Sequence, residues 1–255
     1  MFVDVHAHLN DPKFAGEEER VADLCLQAGV GLVVNAGYDL SSSEKAKELA
    51  ERFPFMYFTA GVHPDHAGEL DGESEKRLIG LLSHPKCVGV GEIGFDFHWN
   101  VYPRDVQERA FLRQAEIACR EELPFVVHSR EASAATTDFL KKHADLTAHG
   151  FVLHCYSESA ECAKVYRKLG AYFTFGGVIT FTNAKKEEVV SSIPPAYVTT
   201  ETDCPYLAPH PLRGTKNTPA NIPIIVEKLA SIYGMTVKET EKIAEENARK
   251  IFKRL

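Results

Sequence analysis

Seven side chains that can hold a divalent cation or move a proton stand at the ends of short apolar runs: His6, His8, His63, Glu92, His128, His154 and Asp203. They lie tens of residues apart yet share one local setting. Imidazole and carboxylate together suit zinc, magnesium, manganese, nickel or iron, and water beside such an ion ionises near neutral pH. The pattern points to hydrolysis at a metal centre gathered from several strands.

Each position carries its own argument. In Asp4-Val5-His6-Ala7-His8 the period-2 alternation of a strand places Asp4, His6 and His8 on one face, with Val3, Val5 and Ala7 on the other. His6 and His8 are the expected ligands, with Asp4 behind them to orient a ring. Glu92 closes Val88-Gly89-Val90-Gly91-Glu92. A lone carboxylate buried there costs several kcal/mol unless it is paired or ligating, and its two oxygens can bridge two ions. His128 ends Pro124–Val127 and His154 ends Phe151–Leu153, the same position in successive units. Asp203 shares a face with Thr199 and Glu201. It is the expected ligand and general base, and Glu201, one step deeper, is expected to orient a ligand. His63 is expected to contact substrate, with ligation as the alternative. Arg130 shares the face of His128 and would meet an anion, or else pair with Glu131. His66, His84 and His143 are read as surface residues; His149 and His210 remain unassigned.

These residues need elements to position them. Strands are predicted at 2–7, 30–36, 56–62, 87–92, 124–128, 150–155, 171–176 and 197–202. Helices are predicted at 17–28, 41–52, 73–83, 104–122, 132–143, 158–169, 184–192, 220–233 and 238–252. Eight strands in alternation with helices predict an α/β fold, a (β/α)8 TIM-like barrel, with residues 1–255 as a single domain. Ser41, Ser42 and Ser43 offer helix caps. Gly29, Gly170 and Gly234 mark helix C-termini. The proline-rich segment 205–223 reads as a long loop after the eighth strand, and such loops are often functional. Tyr206, Arg213 and Asn217 are its substrate-binding candidates. Phe97, Trp99 and Tyr102 are further aromatic candidates for stacking on bases.

Composition limits the partners. A formal net charge of -7 is a poor footprint for gripping duplex DNA through many phosphates, but bound cations can supply positive charge inside a pocket. The six cysteines form no C-x-x-C pair and read as reduced thiols; Cys204 is expected to turn away from Asp203. The N-terminal segment lacks a basic, long-apolar leader, and no run reaches the ~18 apolar residues of a membrane span. The expectation is a cytoplasmic protein with no membrane association and no obligate protein partner.

His6-Ala7-His8-Leu9, Gly61-Val62-His63-Pro64, Gly91-Glu92-Ile93-Gly94-Phe95-Asp96, His128-Ser129-Arg130, His154-Cys155-Tyr156-Ser157 and Glu201-Thr202-Asp203-Cys204-Pro205 occur in that order. Together they resemble the TatD-type metal-dependent deoxyribonucleases of the amidohydrolase superfamily, and Arg213-Gly214 followed by Asn217-Thr218-Pro219 resembles that family's late loop. The resemblance implies two divalent ions. His6, His8, Glu92 and Asp203 would hold one; Glu92, His128 and His154 would hold the other. It also implies hydrolysis of DNA from single-stranded ends, 3′ to 5′. Tyr156 and Cys204 depart from the family's usual Phe and Ser or Ala, at positions outside the ligand set. Two other readings stay open. One is a metal-dependent amidohydrolase or esterase of a small carbonyl substrate, although Glu92 stands where some amidohydrolases carry a bridging lysine. The other is a non-catalytic module that binds metal or nucleic acid.

Overall fold

Apolar residues alternate along the strands, and the two faces of the resulting sheet meet different partners. The computed structural model describes residues 1–255. Its strands are β1 (Phe2–Ala7), β2 (Val30–Ala36), β3 (Met56–Ala60), β4 (Cys87–Asp96), β5 (Phe125–Arg130), β6 (Phe151–Leu153), β7 (Ala171–Phe175) and β8 (Val198–Thr200). All neighbours pair in parallel in sequence order. The helices are α1 (Glu18–Gln27), α2 (Leu40–Arg52), α3 (Gly72–Leu82), α4 (Arg104–Arg120), α5 (Ser133–Lys142), α6 (Ala160–Lys168), α7 (Glu187–Ser192), α8 (Ile222–Tyr233) and α9 (Val237–Ile251). The result is the expected TIM barrel.

The barrel closes where β8 meets β1. Asp203 N–H donates to the His6 carbonyl at 3.0 Å, and His8 N–H donates to the Cys204 carbonyl at 2.9 Å. Side chains complete the seam: the Thr200 hydroxyl donates to the Val3 carbonyl, and the Asp4 carboxylate accepts from the Thr202 hydroxyl and from Thr202 N–H.

Val3, Val5, Leu32, Val34, Val88, Val126 and Val152 cluster with Ala244, Ala248 and Ile251 of α9 and with Phe252 just after it. A cluster that joins five strands to one helix lies inside the barrel, so α9 plugs its N-terminal end. Each buried valine stabilises the fold by roughly 1.5–3 kcal/mol. The outer face, including Phe125, Phe151 and Phe173, packs against the surrounding helices in a separate, larger cluster.

This arrangement corrects the simple alternation in β1. Val3 and Val5 point inward, and the expected common face of Asp4, His6 and His8 does not exist. Asp4 pairs with Val33 and Ala7 with Asn35, so three steps of β1 oppose two of β2. The extra residue is a β-bulge, which reverses the facing of everything after it. Asp4 therefore turns outward to the seam, while His6 and His8 turn inward. β4 does the same between Val90, opposite Phe125, and Ile93, opposite Val127, which aims Glu92 into the barrel. β4 also runs to Asp96, four residues beyond its predicted end.

Local punctuation follows the sequence with one exception. Gly29, Gly170 and Gly234 have φ of 78°, 93° and 65°, the left-handed conformation that suits a residue without Cβ. The cap of α2 is Asp39 rather than a serine; its carboxylate accepts from Ser42 N–H while the Ser42 hydroxyl accepts from Asp39 N–H. Ser42 and Ser43 are buried inside the first turn, and the helix begins one residue before its predicted start.

Candidate metal centre

The inward residues at the C-terminal ends of the strands converge, where barrels of this kind place their chemistry. Glu92 is at the centre and only 4% exposed. Its Oε1 lies 2.7 Å from both His128 Nδ1 and His154 Nε2. Its Oε2 lies 3.5 Å from His6 Nε2 and 3.8 Å from His8 Nε2. Asp203 Oδ1 is 3.3 Å from His8 Nε2 and 3.8 Å from His6 Nε2. Asp203 follows the short β8 in a left-handed conformation, φ 53°.

Hydrogen bonds on the outer side of the rings decide which nitrogen faces inward with a free lone pair. His8 Nδ1–H donates to the Ala36 carbonyl at 3.0 Å, leaving Nε2 bare. His128 Nε2–H donates to Asp96 Oδ2 at 2.9 Å, leaving Nδ1 bare. These bare nitrogens approach others closely: His6 Nε2 and His8 Nε2 are 3.2 Å apart, and His128 Nδ1 and His154 Nε2 are 3.1 Å apart. Lone pairs and carboxylates at such separations need protons or cations between them. The donors form the groups His6–His8–Asp203, His6–Glu92–His154 and His63–Glu92–His128, the ligand atoms of each lying within 4.8 Å of one another. The donor chemistry fits divalent cations.

His63 behaves differently. Asp65 N–H donates to its Nδ1 at 3.1 Å, so the proton of the neutral ring is on Nε2, 3.7 Å from Glu92 Oε1. Burial, reinforced by His128, pushes the ring down to about 3 and keeps it neutral. A neutral imidazole with Nε2–H aimed into the cleft is a hydrogen-bond donor, not a ligand at that nitrogen.

Charges in the cluster are strongly coupled. Burial alone would raise the Glu92 carboxyl, but His154, His63 and His128 outweigh it and hold it well below the usual range. Burial likewise opposes the charged form of His8, yet Asp203 lifts that ring to about 9. Asp203 is held below its ordinary value because its contacts with His8 outweigh its own burial. The buried Glu201 is pushed up to about 8 by desolvation. Its oxygens accept from Cys155 N–H at 2.6 Å and from the Thr174 hydroxyl, and His154 Nδ1 lies 3.9 Å away.

The remaining sequence candidates divide. Arg130 lines the cleft without an ion pair and lies 5.5 Å from the Trp99 ring centre; Glu131 pairs instead with His98 at 2.7 Å. Tyr206 lines the opposite wall, its hydroxyl donating to Asp11 Oδ2 at 3.1 Å. Asp4 is not near the inward ring atoms; it accepts from His6 N–H and braces the seam. Asn217 is fully buried, and its amide donates to the Thr202 and Tyr206 carbonyls at 2.9 and 2.7 Å. It therefore holds the long loop and offers nothing to a ligand. Arg213 stacks on Phe181 at 4.2 Å, outside the cleft. Phe97 packs against the core and the Tyr102 ring lies against Gly68, so of these four candidates Trp99 and Tyr206 line the cleft.

Sequence reasoning passed over Asp96. Its place four residues after Glu92, on the same face of the extended β4, was the available signal. His66, expected at the surface, lines the cleft of about 600 Å³ with Asp11, Tyr38 and Asp65. All six cysteines are free, and Cys204 is buried in the outer core, away from the Asp203 carboxylate. No helix is long and apolar enough to cross a membrane.

A closed parallel barrel with imidazoles and carboxylates gathered at its C-terminal rim defines the class: a TIM barrel with a candidate metal centre. Residues 3–253 match the family described as TatD related DNase, and the chain belongs to that family of metal-dependent hydrolases. It is 37% identical over 254 residues to the uncharacterized metal-dependent hydrolase YabD of Bacillus subtilis, covering 99% of each chain. It is 31% identical over 255 residues to the 3′-5′ ssDNA/RNA exonuclease TatD of Salmonella typhimurium, covering 98% of each. Among solved structures, the TatD homologue YjjV of Escherichia coli K12 superposes with a TM-score of 0.90 at 28% identity, covering 99% of this chain and 98% of that one.

Proposed function

We propose that the protein hydrolyses phosphodiester bonds at the 3′ end of single-stranded nucleic acid, DNA in the first instance, using two divalent cations. The observation that carries this reading is the division of Glu92: Oε1 faces His128 and His154, and Oε2 faces His6 and His8. His6, His8, Glu92 and Asp203 would hold one ion and Glu92, His128 and His154 the other. Bound there, the cations supply Lewis acidity toward the phosphoryl oxygens and lower the pKa of water.

The chain's own residues do the rest. Asp203, ionised at neutral pH, accepts the proton of the attacking water. His63 Nε2–H and the unpaired Arg130 guanidinium donate to the equatorial oxygens, where charge accumulates. Trp99 and Tyr206, 61% and 46% exposed, stand on the cleft walls as stacking surfaces for the strand. Asp96 keeps His128 in place, and Glu201 stands 3.9 Å from His154 Nδ1. The relative named a 3′-5′ ssDNA/RNA exonuclease supports the substrate class, and its name leaves RNA ends as a second substrate to assay.

The test is release of mononucleotides from 3′-labelled single-stranded DNA by protein stripped of metal and reloaded with Mn²⁺, Mg²⁺, Zn²⁺ or Ni²⁺ in turn. Turnover that depends on metal and disappears in Glu92→Ala and Asp203→Asn is expected. Turnover of carboxylic esters or amides with none of any phosphodiester would replace this reading with carbonyl hydrolysis. Tight strand binding without turnover under every ion would replace it with a binding module.

A further inference from the structure

We propose that a second cavity beside the metal donors seats the 3′-terminal nucleobase of a strand end. This rests on the phosphodiesterase reading above. The cavity, about 270 Å³, shares His128, Arg130, His154, Asp203 and Leu207 with the larger cleft. Anything within it is therefore adjacent to the reacting phosphate.

Its walls suit a flat heterocycle. Tyr156, Phe175, Val178, Ile179 and Leu207 line it, the apolar surface with sparse polar groups expected of a small-molecule pocket. Pockets that enclose whole drug-sized ligands span about 300–1,000 Å³. At about 270 Å³ this one has room for one nucleoside and not for two.

Two contacts tie together the loops that frame the pocket. The β7 and β8 loops touch through their backbones: a Cβ on Gly177 would lie 2.0 Å from the Leu207 carbonyl oxygen. The β6 and β7 loops are tied where Lys186 Nζ donates to the Ser157 carbonyl at 2.7 Å. Lys186 and Arg130 both line the pocket and give it positive charge toward a nucleotide. Hydrolysis then proceeds one nucleotide at a time. The water oxygen bonds to phosphorus, the bond from phosphorus to the penultimate O3′ breaks, and O3′ leaves with a proton. The freed 5′-mononucleotide departs from the pocket.

The experiment compares Mn²⁺-loaded protein on single strands ending in a natural 3′ nucleotide and in a 3′ abasic sugar, with Val178→Trp as the variant that fills the pocket. For the unaltered protein the abasic end is expected to lower kcat/KM by about tenfold or more, the worth of one base contact. Val178→Trp is expected to slow the natural end to the abasic rate and to leave the abasic rate, the melting temperature and the bound metal unchanged. Equal rates on the two ends for the unaltered protein would overturn the inference, and that comparison decides alone if the variant does not fold. A Val178→Trp protein that keeps the full preference for the natural end would also overturn it. Absence of turnover on the natural and abasic ends alike would remove the phosphodiesterase reading first and this inference with it.

Discussion

Asp96 Oδ2 sits 2.9 Å from His128 Nε2, on the side of the ring opposite Glu92. The other Asp96 oxygen accepts from His98 and Trp99 N–H groups, each at 2.9 Å, so the carboxylate is itself fixed. One residue thus sets the tautomer of a candidate metal ligand and the start of the loop that carries Trp99.

Removing that carboxylate should loosen the metal without unfolding the barrel. Asp96→Ala leaves His128 Nε2–H without its acceptor and lets the ring turn. Loss of such an outer partner typically costs 10–100-fold in metal affinity or activity. Competition with a chromophoric chelator should show weakening of that order for one ion, with the other retained. Unchanged affinity for both would mean that Asp96 only shapes the loop.

His63 should separate chemistry from metal content. Its Nδ1 is occupied by Asp65 N–H, leaving Nε2–H as a donor to substrate. His63→Ala is expected to lower kcat by about 10²–10³, the scale of one lost donor to a developing anion. The bound metal, read by elemental analysis of the dialysed protein, should stay at its original stoichiometry. A fall of one ion per chain would instead make His63 a ligand in the group with Glu92 and His128.

The barrel and its donors were legible in the sequence because each strand contributes a short apolar run and a polar residue at its end. Periodicity marks the run, and residue type marks the end. Facing was less legible. The bulges in β1 and β4 depend on pairing with β2 and β5, which a single strand does not record, so Asp4 was assigned to the wrong side. Asn217 and Arg213 lie away from the cleft, which the sequence could not show for another reason. A polar residue in a functional loop looks the same in sequence whether its groups are spent on backbone carbonyls or free for a ligand. Asp96 was hidden by glycine: Gly91 and Gly94 make the run look as if it ends at Glu92, when the strand continues.

Stripping the metal should lower stability as well as activity. Four imidazoles and two carboxylates whose free lone pairs converge repel one another unless cations or protons intervene, so metal binds the folded state preferentially. At an ion concentration of 100 times Kd the stabilisation is about 2.7 kcal/mol per site. For a chain of this size that corresponds to a rise in melting temperature of about 5–10 °C. Melting curves recorded with chelator and with each reloaded ion measure it directly. Identical midpoints would show that the cluster holds no ion in solution.

The seam between β8 and β1 makes a stability prediction that is independent of the chemistry. Asp4 is completely buried, pushed up to about 7 by desolvation, and solvated chiefly by Thr202. Thr202→Val keeps the volume and removes the hydroxyl donor. The expected loss is about 1.5–3 kcal/mol, the usual worth of a hydrogen bond to a charged group. Urea unfolding should show a lower midpoint with an unchanged slope, since the surface exposed on unfolding is the same. A midpoint within experimental error of the parent would mean that backbone pairing alone closes the barrel.

Asn217 and Arg213 make opposite predictions although they share one loop. The Asn217 amide donates to Thr202 and Tyr206 carbonyls, and its oxygen accepts from Thr218 N–H at 3.0 Å and the Asn221 amide at 2.8 Å. Asn217→Ala leaves these buried groups unpaired, and unsatisfied buried groups cost about 1–3 kcal/mol each before relaxation. The protein should lose about 2–3 kcal/mol of stability, and KM should rise as Tyr206, whose carbonyl the amide holds, is released from the cleft wall. Arg213→Ala removes an exposed side chain stacked on Phe181, and such surface changes usually stay within about 0.5 kcal/mol. Paired melting and steady-state measurements on the two variants give the comparison. If Arg213→Ala raised KM while Asn217→Ala left both stability and KM intact, the loop would bind substrate through the residues that point away from the cleft here, and it would have to move when a strand is bound.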